Sequence, residues 1–163
     1  MDTKRLVRDS LLTAVALTIF MIEAQIPAPA PIPGVKLGLA NIVTLGALYL
    51  FGPWDALGIL LVRVVLGSMF AGQMMMLPYS LAGGLLCWVV CCGLKKVMTL
   101  RQIWLCSIFG AIAHNIGQII VAIAVTETPG LLVYLPALMV SGIAAGAFTG
   151  WAAQFLVGRM KKI

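Results

Sequence analysis

A small set of polar side chains interrupts an otherwise apolar sequence. The set is Glu23, Lys36, Asn41, Arg63, Gln73, His114, Asn115, Gln118 and Gln154. Arg63 lies midway through the apolar stretch 54–70. A charged side chain at the centre of a membrane-spanning segment costs about 2.5 to 3.5 kcal/mol even on lenient insertion scales, and such residues usually serve a function. Arg63 therefore predicts an anionic partner, either in the chain or in a ligand.

Glu23 is the only acid predicted to lie near the two cations Arg63 and Lys36. An internal ion pair with Glu23 would leave one of these cations unmatched. An anionic ligand group such as phosphate or carboxylate is the alternative, because Arg offers a fixed fork of donors and Lys a compact point charge. Arg63, Lys36, Glu23 and Asn41 are therefore candidate substrate-binding residues.

The fifth apolar segment carries three neighbouring polar residues. His114 and Gln118 are four residues apart, so they share one face of a helix, while Asn115 points about 100° away. Asn115 and Gln118 fit two roles equally well: ligand contacts, or interhelical hydrogen bonds worth about 0.6 kcal/mol each. His114, the only histidine, is expected to contact a ligand or act as a switch, because imidazole titrates near neutral pH.

The composition is that of an integral membrane protein. The chain is 62% hydrophobic and 10% charged, with a mean hydropathy of +1.09, whereas soluble domains carry about 25% charged residues. One helical span needs about 20 residues, so 163 residues allow five or six spans. We expect a single membrane domain over residues 1–163 and no separate soluble domain.

Hydropathy and the Pro, Gly and charge pattern predict an all-α fold of six transmembrane helices. The predicted segments are residues 10–22, 37–51, 54–70, 75–94, 103–125 and 131–157. With the amino terminus in the cytoplasm, nine cations fall on the inner side: Lys4, Arg5, Arg8, Lys95, Lys96, Arg101, Arg159, Lys161 and Lys162. Only Lys36 falls outside. This asymmetry predicts that both termini are cytoplasmic.

The first segment also fits a signal peptide, because Lys4, Arg5 and Arg8 precede a short apolar run and residues 28–30 are small. Glu23 directly after the run, and prolines at 27, 29, 31 and 33, favour a spanning helix instead. The stretch 24–34 alternates Pro with small residues, which predicts a stiff, extended outer loop.

Small residues recur at a spacing of four in two segments, and such a face lets another helix approach closely. The residues are Gly142, Gly146 and Gly150 in the last segment and Ser10, Ala14 and Thr18 in the first. They are candidate partner-interface residues. Spacing leaves open whether the approaching helix belongs to the same bundle or to another protein.

Several classes of function are disfavoured. The net charge of +6 is scattered between apolar segments, which argues against nucleic acid binding. The cysteines 87, 91, 92 and 106 lack zinc-type spacing, so we expect reduced packing residues and no metal site. Asp occurs only at positions 2, 9 and 55, which leaves no aspartate pair for magnesium and diphosphate. No Walker motif is present, and we expect no catalysis and no cofactor.

The sequence resembles the Gx transporter family, also described as heptaprenyl diphosphate synthase component I, a relative of the S components of energy-coupling factor transporters. The matching stretches are Glu23 with Pro27, residues 32–43, Arg63 with Gly67, and residues 80–84, 110–118 and 134–136. They extend over nearly the whole chain.

The resemblance implies an S-component-like bundle in the bacterial cytoplasmic membrane whose outer face captures a small molecule. A transmembrane T component and two ATPases would then drive release, with the small faces of the first and last segments docking the T component. Two alternatives remain: an accessory component of heptaprenyl diphosphate or quinone synthesis, and a solo homodimeric transporter. A vitamin, a flavin, a prenyl phosphate, a quinone precursor and an amino-acid-like solute all fit as ligand.

Overall fold

The computed structural model describes residues 2–25, 38–72 and 74–161, and this part of the chain is helical with no strand. Its α-helices are α1 (Thr3–Gln25), α2 (Asn41–Leu50), α3 (Pro53–Phe70), α4 (Leu77–Lys95), α5 (Ile103–Thr126) and α6 (Leu135–Met160). Short 3₁₀ turns, Met74–Met76, Leu100–Gln102 and Pro129–Tyr134, precede α4, α5 and α6. The predicted all-helical class is confirmed.

In the described part of the chain, four helical stretches are long and apolar enough to cross a membrane. They are Pro53–Phe70, Met74–Lys95, Leu100–Thr126 and Pro129–Met160. Helix α2 is apolar but has only 10 residues, and α1 carries charged residues at both ends. The four long stretches mark the chain as a membrane protein, while α1 and α2 do not by themselves meet the length and apolarity of a span.

The starts of three helices differ from the prediction by four residues or more, among them α2, which begins at Asn41 and not at 37. Helix α1 covers Thr3–Gln25 and not only 10–22, because hydropathy detects the apolar centre while helical hydrogen bonds continue through the charged ends. Residues 24 and 25, predicted as loop, are helical, and the rest of the predicted Pro-rich loop lies outside the described residues. Helix α6 begins at Leu135 and not at 131, with Pro136 in its first turn. Proline lacks an N–H, and it is tolerated there because N–H groups of the first turn have no acceptor within the helix.

Helix α5 lies at the centre of the packing, against α4 on one side and α6 on the other. Helix α2 packs on α6 and α3, and α1 lies at the edge of the bundle, mainly against α3. The contact between α1 and α3 is close where the ring of Phe20 lies over Gly67: a Cβ added there would be 2.9 Å from the ring.

The glycine face of α6 is filled by α5 of the same chain. Gly142, Gly146 and Gly150 are all buried. A Cβ at Gly150 would lie 2.5 Å from the Cβ of Ser107 and 2.7 Å from the Cα of Trp104. The assignment of these glycines to a partner interface is therefore corrected: they are internal residues that let two helices of one bundle approach. Ser10, Ala14 and Thr18 on α1 are exposed.

Ion pairs anchor one end of the bundle. Asp55, buried near the start of α3, accepts hydrogen bonds from Arg5 and Arg8 of α1. The guanidinium of Arg8 also lies 3.9 Å from the ring centroid of Phe51. These contacts join α1 to the turn between α2 and α3. We call this side the Arg8 end, and the opposite side, where α1 finishes, the Glu23 end.

Candidate functional site

Two adjoining cavities open between the helices and share four lining residues, Gly38, Asn41, His114 and Gln118. The smaller cavity holds about 550 Å³ of empty space and the larger about 920 Å³, their openings included. Because they share four lining residues, they lie side by side and form the charged part and the apolar part of one candidate site.

Arg63 lies in the smaller cavity, where its residue is 7% exposed. Its Nη2 donates a hydrogen bond to Oδ1 of Asn41 at 3.2 Å. Its Nε is buried and has no hydrogen-bond partner in the described part of the chain. A guanidinium has five N–H donors in a fixed fork, so the group has donors left for a ligand in this cavity.

Glu23 also lines the smaller cavity, but its carboxylate is directed to the backbone. One oxygen accepts the N–H of Gly38 at 2.5 Å, and the other accepts the N–H of Leu39 at 2.9 Å. Gly38 has a φ of +69°, a conformation that glycine adopts without strain. Within residues 2–25, 38–72 and 74–161, the ion pairs join Arg5 and Arg8 to aspartates, and Arg63 is in none of them.

His114 and Gln118 line both cavities, at the junction of the charged and apolar parts. They also face α4 at Gly83, where an added Cβ would lie 2.8 Å from the backbone oxygen of His114 and 2.9 Å from Cγ of Gln118. Asn115 faces α6 instead: its Nδ2 donates to the backbone oxygen of Leu138 at 2.6 Å. Asn115 therefore makes an interhelical hydrogen bond while it lines the larger cavity.

The larger cavity extends from this junction toward the Arg8 end as an apolar shaft. Its wall consists mainly of leucine and small residues, including Leu45, Leu48, Ala56, Leu60, Gly84, Ala111 and Ala145. Trp88 also lines it, and the indole N–H of this residue donates to the backbone oxygen of Pro53 at 2.9 Å. Such a shape fits a molecule with a polar head and a less polar body.

Four hydroxyl-bearing residues that line the larger cavity were not predicted as site residues: Thr44, Ser107, Ser141 and Thr149. Helical spacing relates two of them to predicted site residues. Ser107 precedes His114 by seven residues, about two helical turns, so both project from one face of α5. Thr44 follows Asn41 by three residues and shares its face of α2.

Other predicted site features are placed as follows. Lys36 lies outside the described residues, so its predicted contact with a ligand stays a prediction. Cys91 and Cys106 face each other across α4 and α5, each thiol near the other's backbone oxygen at 3.6 and 3.8 Å. In the described part of the chain, no three His, Cys, Asp or Glu side chains are grouped closely enough to hold a metal ion.

Comparison with known proteins identifies the family. A family model described as heptaprenyl diphosphate synthase component I matches residues 12–156, which include every residue of the two cavities. Comparisons with curated proteins and with solved structures gave no match. The resemblance drawn from Glu23, Arg63 and the stretch around His114 is confirmed at the level of this family. The chain belongs to the heptaprenyl diphosphate synthase component I family.

Proposed function

We propose that this protein is the substrate-binding transmembrane subunit of an energy-coupling-factor-like uptake transporter for a small molecule with an anionic or polar head. One observation carries the proposal: Arg63 is buried beside a cavity with its Nε unpartnered by the described residues. Removing a charge from water is costly unless it is paired, and a buried guanidinium keeps its charge. An anionic head in the cavity supplies the missing pair.

The residues around Arg63 fit such a head. Asn41 already orients the guanidinium through its Oδ1, and its amide N–H groups are further donors. His114 and Gln118 extend the polar wall toward the shaft. The carboxylate of Glu23 accepts two backbone N–H groups. These donors offset part of its negative charge, which reduces its repulsion of an anionic head. Phosphate and carboxylate are the groups that an arginine fork recognises best.

The charge distribution supports the proposed topology, and the exposed face of α1 supports the proposed contact with a partner. In the proposed topology six helices cross the cytoplasmic membrane, both termini are inside, and the Glu23 end opens outward. The Arg8 end carries most of the cations, in agreement with an inner location. Ser10, Ala14 and Thr18 are exposed and offer a small-residue face to a transmembrane T component, which two ATPases would drive.

A second candidate function is favoured by the description of the matching family model. In that role the protein is an accessory of heptaprenyl diphosphate synthesis, with Arg63 holding a diphosphate and the apolar shaft sheltering the start of the isoprenoid chain. The chain would bind and not catalyse, because it has no aspartate pair to hold magnesium. A solo homodimer through the glycine face of α6 is not favoured, since α5 covers that face.

Purification of the tagged protein from its native membranes in mild detergent separates these functions. We expect a membrane partner and two ATPase subunits to accompany the chain, and Ala14→Phe to remove them. Val15→Phe is the matched control, because Val15 is 51% exposed but lies on a neighbouring face of α1. Recovery of a prenyl synthase in place of the ATPases would contradict the transporter and favour the second function.

A further inference from the structure

Besides Ser141, which donates to the backbone oxygen of Leu138, three hydroxyl-bearing residues line the larger cavity: Thr44 on α2, Ser107 on α5 and Thr149 on α6. Thr44 is one turn from Asn41. Ser107 is two turns from His114, which is about 10 Å along the helix axis. Polar groups at these depths are unexpected in a cavity that only shelters a hydrocarbon chain.

Thr44 is the most informative of the three. Its Oγ1 is buried and has no hydrogen-bond partner in the described part of the chain. A helical Ser or Thr commonly bonds to the carbonyl four residues earlier, and five others here do so: Thr13, Thr18, Ser68, Thr126 and Thr149. Thr44 does not use that bond, which leaves both its donor and its acceptor available to the cavity.

Ser107 and Thr149 form a pair at the deep end, with their hydroxyl oxygens 3.2 Å apart. Thr149 donates its only proton to the backbone oxygen of Ala145 at 2.9 Å. With that bond in place, Ser107 donates its own proton to Thr149. Both hydroxyls, on residues less than a tenth exposed, then offer acceptor lone pairs to whatever occupies the shaft.

We propose that the body of the ligand carries a hydrogen-bonding group, an O–H or N–H, which Thr44 and the Ser107–Thr149 pair receive. The substrate class is then an anionic-headed molecule with an oxygen- or nitrogen-bearing body, such as a hydroxylated chain or a heterocycle. A plain prenyl tail would leave the Thr44 hydroxyl without a partner and the remaining acceptor lone pairs of Ser107 and Thr149 unused. Sites built around a hydrogen bond reject analogues that lack it. The inference rests on the proposed function, because it concerns the same cavity.

A matched pair of probes tests this directly: octyl phosphate and 8-hydroxyoctyl phosphate share a head and a chain and differ in one hydroxyl. Their affinities are measured by calorimetry with the purified protein in lipid nanodiscs. We expect the hydroxylated probe to bind about ten-fold tighter, the value of one net hydrogen bond, although it is the more hydrophilic compound.

The double variant Thr44→Val/Ser107→Ala should bind the two probes equally while keeping its affinity for octyl phosphate, which shows that the cavity is intact. Thr126→Val, which changes an exposed hydroxyl outside both cavities, is the control and should keep the preference. This inference is overturned if the unaltered protein binds octyl phosphate as tightly as 8-hydroxyoctyl phosphate, or more tightly. The proposed function still stands in that case if binding of both probes is weakened by Arg63→Gln. Failure of both probes to bind, or binding that Arg63→Gln does not weaken, overturns the proposed function as well.

Discussion

The carboxylate of Glu23 accepts the backbone N–H of Gly38 at 2.5 Å and so joins two residues that are 15 positions apart in the chain. Through this bond, and a second one to Leu39, the end of α1 is fixed to the residues just before α2. Asn41, the residue that orients Arg63, begins α2 three residues after Gly38. Glu23 therefore positions the residues beside the cavity, and it makes no ion pair with Arg63.

Glu23→Gln should loosen this contact, because the amide keeps one acceptor oxygen but replaces the other with a donor. One of two backbone N–H groups then loses its partner, at a cost of about 1 to 3 kcal/mol. We expect a lower melting temperature and faster hydrogen exchange at the amides of Gly38 and Leu39. Glu127→Gln, an equal charge change at an exposed site, should alter neither. Unchanged exchange at both amides would show that Glu23 does not hold them.

Gly83→Ala should weaken ligand binding without touching the ligand. The added methyl group would lie 2.8 Å from the backbone oxygen of His114 and 2.9 Å from Cγ of Gln118, so α4 and α5 must move apart. We expect about ten-fold weaker binding of octyl phosphate and a destabilisation of about 1 to 3 kcal/mol, typical of an overpacked contact. Gly93→Ala on the same helix meets nothing within 4 Å and should bind as the unaltered protein does. Full affinity in Gly83→Ala would contradict the close approach of the two helices.

Gly150→Ala tests whether the glycine face of α6 is internal. A methyl group there would collide with the Cα of Trp104 at 2.7 Å, and a backbone atom cannot rotate away as a flexible side chain can. We expect a loss of stability of about 1 to 3 kcal/mol, seen in thermal unfolding, with no change in oligomeric state. Gly158→Ala on the same helix has open space and is the control. Wild-type stability together with a changed oligomeric state would instead mark this face as a partner interface.

The length and apolarity of four helices could be predicted from the sequence, because a spanning helix must satisfy its backbone internally and bury about 20 apolar residues in lipid. The ends of α1 could not be predicted from the sequence. Hydropathy treats Arg5 and Arg8 as interruptions, but both pair with Asp55, a residue 47 positions beyond Arg8 whose proximity depends on the tertiary fold.

The candidate site, like the fold, could be predicted from the sequence only in part. Arg63 stands out because a charge in an apolar stretch is rare, and the shared face of His114 and Gln118 follows from helical spacing. The role of Glu23 could not be predicted, because its partners are backbone N–H groups and no residue type encodes them. Thr44 was overlooked for a different reason: a threonine in an apolar helix usually bonds to its own backbone, and only the structure shows that this one does not.

The most direct test of Arg63 as the residue that holds the anionic head combines affinity and stability in one pair of variants. Arg63→Gln should bind octyl phosphate at least about 100-fold more weakly, since the lost contact is a buried charge pair. Without ligand it should melt at the same or a higher temperature, because the buried charge that is removed makes no ion pair in the described part of the chain. Arg101→Gln, an equal charge change at an exposed site, should keep its affinity. Binding by Arg63→Gln that equals the unaltered protein would contradict the assignment of Arg63 to the ligand.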